Sequence, residues 1–264
     1  MQVEEKTSTH DLVTWHDQAT EEQLSALLTG AVPDSRITGE EGGARGEGAV
    51  EWIVDPIDGT SNFTHGFALF TVSIAAAVEG QVVAGVVHDP VQEMTFSADD
   101  DGARLLTPHG EQDLGAAAQQ VRAGAQLNLV TSYPSAEALE TEGAAALESF
   151  GTAVTTFSTV RRLVSGALEL CHAAAGWADV VLGVDTKPWD VAAGMLILRR
   201  AGGQYLPHGV RDEGPGSPGM WRGAWQGEEG ESDHLAPHYL ALAPGVDSPE
   251  AHRLIEEISA RRAP

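Results

Sequence analysis

The chain has 264 residues, and its 39 acidic against 15 basic side chains give a formal charge of −24 at neutral pH. That balance excludes a surface built for nucleic acid or anionic membranes, since both need a positive footprint. With 42% hydrophobic residues and no apolar run near the about 18 residues of a membrane helix, the composition is that of a globular protein with a sizeable core. The single cysteine, Cys171, admits no internal disulfide, and the polar start lacks the apolar stretch of a secretory signal, so a cytoplasmic location is expected.

Taken in chain order, Thr20, Leu24, Leu27 and Leu28 recur at helical spacing after Asp17, and Gly30 and Pro33 end that helix. Arg36 to Thr38 reads as a short strand. Trp52-Ile53-Val54 reads as a buried strand that stops at Asp55-Pro56. Thr71 to Val78 and Gln81 to His88 form a hairpin about Glu79-Gly80, with a third run from Met94 to Ala98. These strands imply an antiparallel sheet in a first, α+β half.

Beyond a polar stretch between Thr107 and Gln126, strands alternate with helices. Leu127 to Thr131, Ala178 to Val184 and Tyr239 to Ala243 read as strands. Ser135 to Phe150, Val160 to Ala175, Val191 to Ala201 and Ser248 to Arg261 read as helices. That alternation predicts a layered α/β second half. The expected division is 1–110 and 111–264, with a glycine-rich, acidic loop insertion at 208–233 that contains Trp221 and Trp225.

The chemistry concentrates in Asp55-Pro56-Ile57-Asp58-Gly59-Thr60. A strand delivers Asp55, Pro56 forces a turn, and Asp58 follows three positions later. Two carboxylates so placed can bracket a hard divalent cation, with the Ile57 carbonyl as a third oxygen ligand. Gly59 and Thr60 present backbone N–H groups at a helix start, a cradle for phosphate. Taken alone, the same residues are an Asp-Pro turn followed by an Asp cap. Gly39-Glu40-Glu41-Gly42-Gly43 upstream and Lys187-Pro188-Trp189-Asp190 downstream add further carboxylates.

These three motifs, in this order and at these separations, resemble the signature of the inositol monophosphatase family. The likeness takes in Asp11-Leu12-Val13-Thr14 with Asp17, Asn62-Phe63, Thr71-Val72-Ser73-Ile74-Ala75 and Ala201-Gly202-Gly203. It implies an αβαβα sandwich and a lithium-sensitive phosphomonoesterase that uses two or three magnesium ions. By resemblance Glu40, Asp55 and the Ile57 carbonyl hold the first ion, and Asp55, Asp58 and Asp190 the second, with Glu40 near a weaker third. Glu40 and Thr60 position the attacking water, Asp17 pairs with Thr60, and Lys6 approaches the metals. A homodimer is expected, with a small phosphorylated metabolite as partner and neither nucleic acid nor membrane.

The sequence also departs from the family's pattern. Val164 stands where a glycine is common, and the long helix usual ahead of the lysine is absent before Lys6. Gly183 stands where animal-type members carry a substrate-binding glutamate, which leaves Asp185 as the nearest acidic residue to accept a substrate hydroxyl. The expected substrate is myo-inositol monophosphate. Histidinol phosphate, fructose 1,6-bisphosphate or a 3′-phosphoadenosine nucleotide are the alternatives within the family, and a non-catalytic binding protein is the alternative outside it.

Overall fold

A computed structural model describes residues 3–5, 12–115, 123–209 and 233–262 of the chain. Lys6 lies outside the described residues, as do positions 210–232 of the expected insertion with Trp221 and Trp225. The chain opens with a two-stranded antiparallel ribbon, β1 (Val3–Glu5) and β2 (Leu12–Thr14), followed by α1 (Trp15–Ala31). Thr14 starts the helix in both directions: its hydroxyl accepts from the His16 N–H at 3.1 Å, and its own N–H donates to Asp17 at 2.7 Å.

Eight strands then build the first sheet. They are β3 (Ser35–Gly39), β4 (Gly43–Arg45), β5 (Val50–Asp58), β6 (Thr71–Val78), β7 (Gln81–Asp89), β8 (Met94–Asp99), β9 (Gly102–Thr107) and β10 (Gly110–Asp113). The six-residue helix α2 (Thr60–His65) lies between β5 and β6. The order is β10-β9-β8-β7-β6-β5-β3-β4, antiparallel throughout except for the parallel pair β3–β5. Glu79 and Gly80, at φ 52° and 82°, make the two-residue turn whose twist suits a β-hairpin.

The remaining elements are β11 (Asn128–Thr131), α3 (Ala136–Glu142), α4 (Ala144–Thr156), β12 (Thr159–Arg161), α5 (Gly166–Ala174), β13 (Val180–Val184), α6 (Pro188–Arg200), β14 (Gln204–His208), β15 (His238–Leu242) and α7 (Pro249–Arg261). The second sheet runs β12-β11-β13-β15-β14, with β11 parallel to both its neighbours and β15 antiparallel to both of its own.

The layers are α1, the first sheet, α5 with α6, the second sheet, and α4 with α7. This is the αβαβα order expected from the resemblance. Both faces of the second sheet are buried, and alternation sorts its side chains. Val181, Tyr239 and Ala241 face α5 and α6, while Val180, Leu182, Leu240 and Leu242 face α4 and α7. Val191 to Leu198 of α6 is buried all round because the helix is sandwiched between sheets. Gly85 lets that helix close on β7, since a Cβ there would lie 2.9 Å from the Ala193 Cα.

Several boundaries differ from the sequence expectation. The helix read over Ser135 to Phe150 breaks at Gly143, whose φ of 60° and ψ of −130° only glycine adopts readily. The helix read over Val160 to Ala175 starts only at Gly166, because Thr159–Arg161 pairs with β11 and Val164 takes a left-handed φ of 59°. β1, β2, β4, β9, β10 and β14 have no counterpart in the sequence expectation.

Candidate active site

β5 does not stop at Asp55 but runs on to Asp58. Asp55 faces Ser73 and Asp58 faces Thr71, so two residues of β5, Pro56 and Ile57, oppose only Val72 of β6. This bulge accommodates a proline that has no N–H for the ladder, and it turns Asp55 and Asp58 toward the same end of the sheet. Gly59 follows at φ 95°, where a Cβ would lie 2.9 Å from the Leu69 carbonyl oxygen. α2 then begins at Thr60.

Parallel pairing places Gly39 beside Val54, and the Glu40 N–H donates to the Val54 carbonyl at 3.2 Å, so Glu40 emerges next to Asp55. Asp190 arrives from the other half on the first turn of α6, where it accepts from the Lys187 N–H at 2.8 Å. Ser73 donates to the Trp189 carbonyl at 3.2 Å and holds that turn against β6. The sequence motifs therefore meet where the two halves touch.

Their electrostatics follow from burial and mutual repulsion. Asp55 is 2% exposed, and it accepts from the Ile57 N–H at 3.0 Å. Burial, then the charges of Glu40, Asp58 and Asp190, push its carboxyl well above the usual range. Burial and the neighbouring Asp58 push Asp190 up to about 8. Burial raises Asp58 as well, against four hydrogen bonds that favour its charged form.

Those four bonds give Asp58 a further task. One oxygen accepts from Ser165 Oγ at 2.6 Å, Ala167 N–H at 2.9 Å and Thr71 Oγ1 at 3.2 Å; the other accepts from Gly166 N–H at 3.0 Å. Asp58 thus caps the start of α5 across 107 to 109 residues of sequence. Asn62 reinforces the join, its amide donating to the Leu69 and Leu163 carbonyls at 2.7 and 2.6 Å.

Thr60 Oγ1 lies 3.2 Å from Asp17 Oδ1 and 3.1 Å from the Ile57 carbonyl oxygen, and Thr14 Oγ1 donates to the other Asp17 oxygen at 2.6 Å. Asp185 is placed apart, at the end of β13 with φ 59°. Arg262 binds both its oxygens, and its own N–H donates to His238 Nδ1 at 3.1 Å.

Among the described residues, the charged side chains acting most strongly on Asp55 are the carboxylates Glu40, Asp58 and Asp190, and Lys187 is the basic side chain that acts on Asp190. That donor set suits a hard divalent cation. The carboxylates neighbour one another without closing into a ligand shell: among the described residues, no three Asp, Glu, His or Cys side chains stand at distances to hold one ion.

The sequence reading missed three contributors. Glu21, at 2% exposure, accepts from the N–H groups of Glu41 and Gly42. Its spacing of four from Asp17, one face of one helix, was the available signal. Ser165 was passed over because its segment read as mid-helix. Glu169, at 3% exposure, sits behind Asp58 with its pKa pushed up to about 8 by burial first and then by that charge.

Residues 1–238 match the inositol monophosphatase family. A Mycobacterium bovis protein named inositol-1-monophosphatase is 36% identical over 221 residues, 81% of this chain and 74% of the relative. A Pasteurella multocida protein named Nus factor SuhB is 37% identical over 199 residues, 74% of this chain and 72% of the relative. The crystal structure of the extragenic suppressor protein suhB from Bartonella henselae superposes with a TM-score of 0.75 at 25% identity, over 98% of this chain and 89% of that one.

The protein is thus a phosphoric monoester hydrolase of the layered αβαβα type. The chain belongs to the inositol monophosphatase family, whose members are metal-dependent. No helix among the described residues is long and apolar enough to cross a membrane.

Proposed function

We propose that the protein hydrolyses a small phosphomonoester, myo-inositol monophosphate first among candidates, with magnesium held by Glu40, Asp55, the Ile57 carbonyl, Asp58 and Asp190. The observation that carries this reading is the buried Asp55 facing three other carboxylates, Glu40, Asp58 and Asp190. Uncompensated, that repulsion is unfavourable; a cation among oxygen donors relieves it. Such a cation supplies charge neutralisation on the phosphoryl oxygens and makes water acidic enough to attack near neutral pH.

The chain's own residues do the rest. Asp17, fixed by two donors from Thr14, accepts from the Thr60 hydroxyl and leaves that oxygen's lone pairs to orient the attacking water. Glu40, beside Asp55, accepts a proton from the water. The Gly59 and Thr60 N–H groups face the phosphate. Asp190, on the first turn of α6, would help hold the cation that neutralises charge on the departing alkoxide. Hydrolysis breaks the ester P–O bond, the water oxygen joins phosphorus, and the alkoxide takes a proton from solvent and leaves as the alcohol, while Glu40 returns its proton to solvent.

Asp185 is proposed to accept a substrate hydroxyl, in competition with Arg262. In Asp185→Ala, a Michaelis constant raised for inositol phosphate but not for p-nitrophenyl phosphate supports that role. Equal losses on both assign Asp185 to its ion pair alone.

Phosphate release across a panel of phosphomonoesters, with magnesium and then with excess chelator, tests the whole reading. Strict magnesium dependence, inhibition by lithium and preference for inositol phosphate are expected. Full turnover in chelator refutes it. A non-catalytic binding role has the relative named Nus factor in its favour; absence of turnover on every phosphoester would select it.

A further inference from the structure

We propose that Glu21 is a positioning residue that fixes the backbone carrying Glu40, and so sets how tightly the site holds magnesium. The inference rests on the assignment of Glu40 as a ligand. Asp17 and Glu21 lie one turn apart on α1, both buried, and each is aimed at a different segment. Asp17 meets Thr60. Glu21 Oε2 accepts from the Glu41 N–H at 2.7 Å, and Oε1 accepts from the Gly42 N–H at 2.9 Å and from Arg45 Nη2 at 2.5 Å.

The receiving loop is shaped to admit that carboxylate. A Cβ at Gly39 would lie 2.4 Å from Glu21 Oε2, and one at Gly42 would lie 2.7 Å from Oε1. Glycine therefore stands on both sides of Glu40-Glu41, where an added side chain would have to displace the Glu21 carboxylate and, at position 42, the Arg45 guanidinium as well. The Glu40 N–H is tied to Val54 on the other side. Glu40 is thus held from behind by β5 and from ahead by a charged acceptor on the next two amides. Residues 40–42 form the turn between β3 and β4, and Glu21 adds to that pairing a restraint on the turn itself, which limits how far Glu40 can move relative to Asp55. Arg45, half exposed and within 3.4 Å of Ser25 Oγ, balances the buried charge from the solvent side.

Three variants of the full-length protein test this: Glu21→Gln, Glu21→Ala and Arg45→Ala. Gln keeps the side-chain volume and one acceptor, so it carries the test if the alanine at position 21 fails to fold. Magnesium binding by calorimetry and hydrogen exchange at the Glu41 and Gly42 amides are read beside turnover. We expect both amides to exchange about tenfold faster in Glu21→Gln, and magnesium to bind about tenfold more weakly, within the range for groups that orient metal ligands. Arg45→Ala should fall between this variant and the parent.

Unchanged magnesium affinity in the Glu21 variants, or unchanged exchange at those amides, overturns the proposal. Glu40→Gln in the same titration separates the two claims. If it loses magnesium while Glu21→Gln does not, the positioning role falls and the site assignment stands. If Glu40→Gln binds magnesium as the parent does, the site assignment falls and takes the inference with it.

Discussion

Asp58→Asn asks whether Asp58 is first an anchor or first a ligand. The least damaging asparagine places its amide oxygen where Ser165, Ala167 and Thr71 donate, and turns its NH2 toward the Gly166 N–H now bonded at 3.0 Å. One bond is lost and two donors face each other, at about 1–3 kcal/mol. Removing a negative charge from the start of α5 costs roughly 0.3–1 kcal/mol more. Relief of the repulsion that raises Asp58 returns part of this. The net expectation is a loss of about 2 kcal/mol, or about 4–8 °C in unfolding temperature for a chain near this size. Thermal and urea unfolding in excess chelator measure it without magnesium. A residue that only held metal would do the opposite, because neutralising one of four crowded carboxylates should stabilise the metal-free protein. An unfolding midpoint equal to or above the parent's in chelator would refute the anchoring role.

Asp190→Asn should behave differently: its one close backbone donor is Lys187 N–H and asparagine caps helices about as well, so stability in chelator should hold while turnover falls at least a hundredfold; early melting with near-normal turnover would make Asp190 structural. Glu169 has a folded pKa near 8, above its unfolded value, so it stabilises fully only below about pH 4.5 and loses that contribution as pH rises toward 8. In chelator, Glu169→Gln should therefore gain on the parent over that window, by up to about 1.4 kcal/mol per pH unit, and parallel urea profiles at pH 5 and 8 would contradict this. Gly183→Ala would drive a Cβ to 2.0 Å from the Tyr239 ring, which is fully buried and stacked on Tyr205 at 4.8 Å, so a loss of about 1–3 kcal/mol or more is expected; an unchanged melting temperature would show that the ring can move.

The sequence by itself determined the strongly patterned elements and the chemistry of the motifs. The hairpin about Glu79-Gly80 was legible because local turn preference and alternation agree there. The helix from Pro188 was nearly so, its proline and acidic first turn marking the start. Asp55 and Asp58 by themselves read equally well as an Asp-Pro turn and an Asp cap, and it is the ordered resemblance of three motifs to the family's signature that singles out Glu40, Asp55, Asp58 and Asp190. What the sequence could not supply was anything decided between distant segments. Val160 to Ser165 has the composition of a helix, yet β-pairing with β11 and the grip of Asp58 on Ser165, Gly166 and Ala167 hold it out of one. β5 runs past Pro56 because a bulge in β5 lets it resume pairing with β6 at Asp58. Nothing local marks the partners of Glu21, which come from the loop after β3, and nothing local shows that the end of α7 brings Arg262 to the Asp185 carboxylate. Hydrogen bonds and charges act over a few ångströms in space, so their partners are fixed by topology, and only the assembled layers decide them.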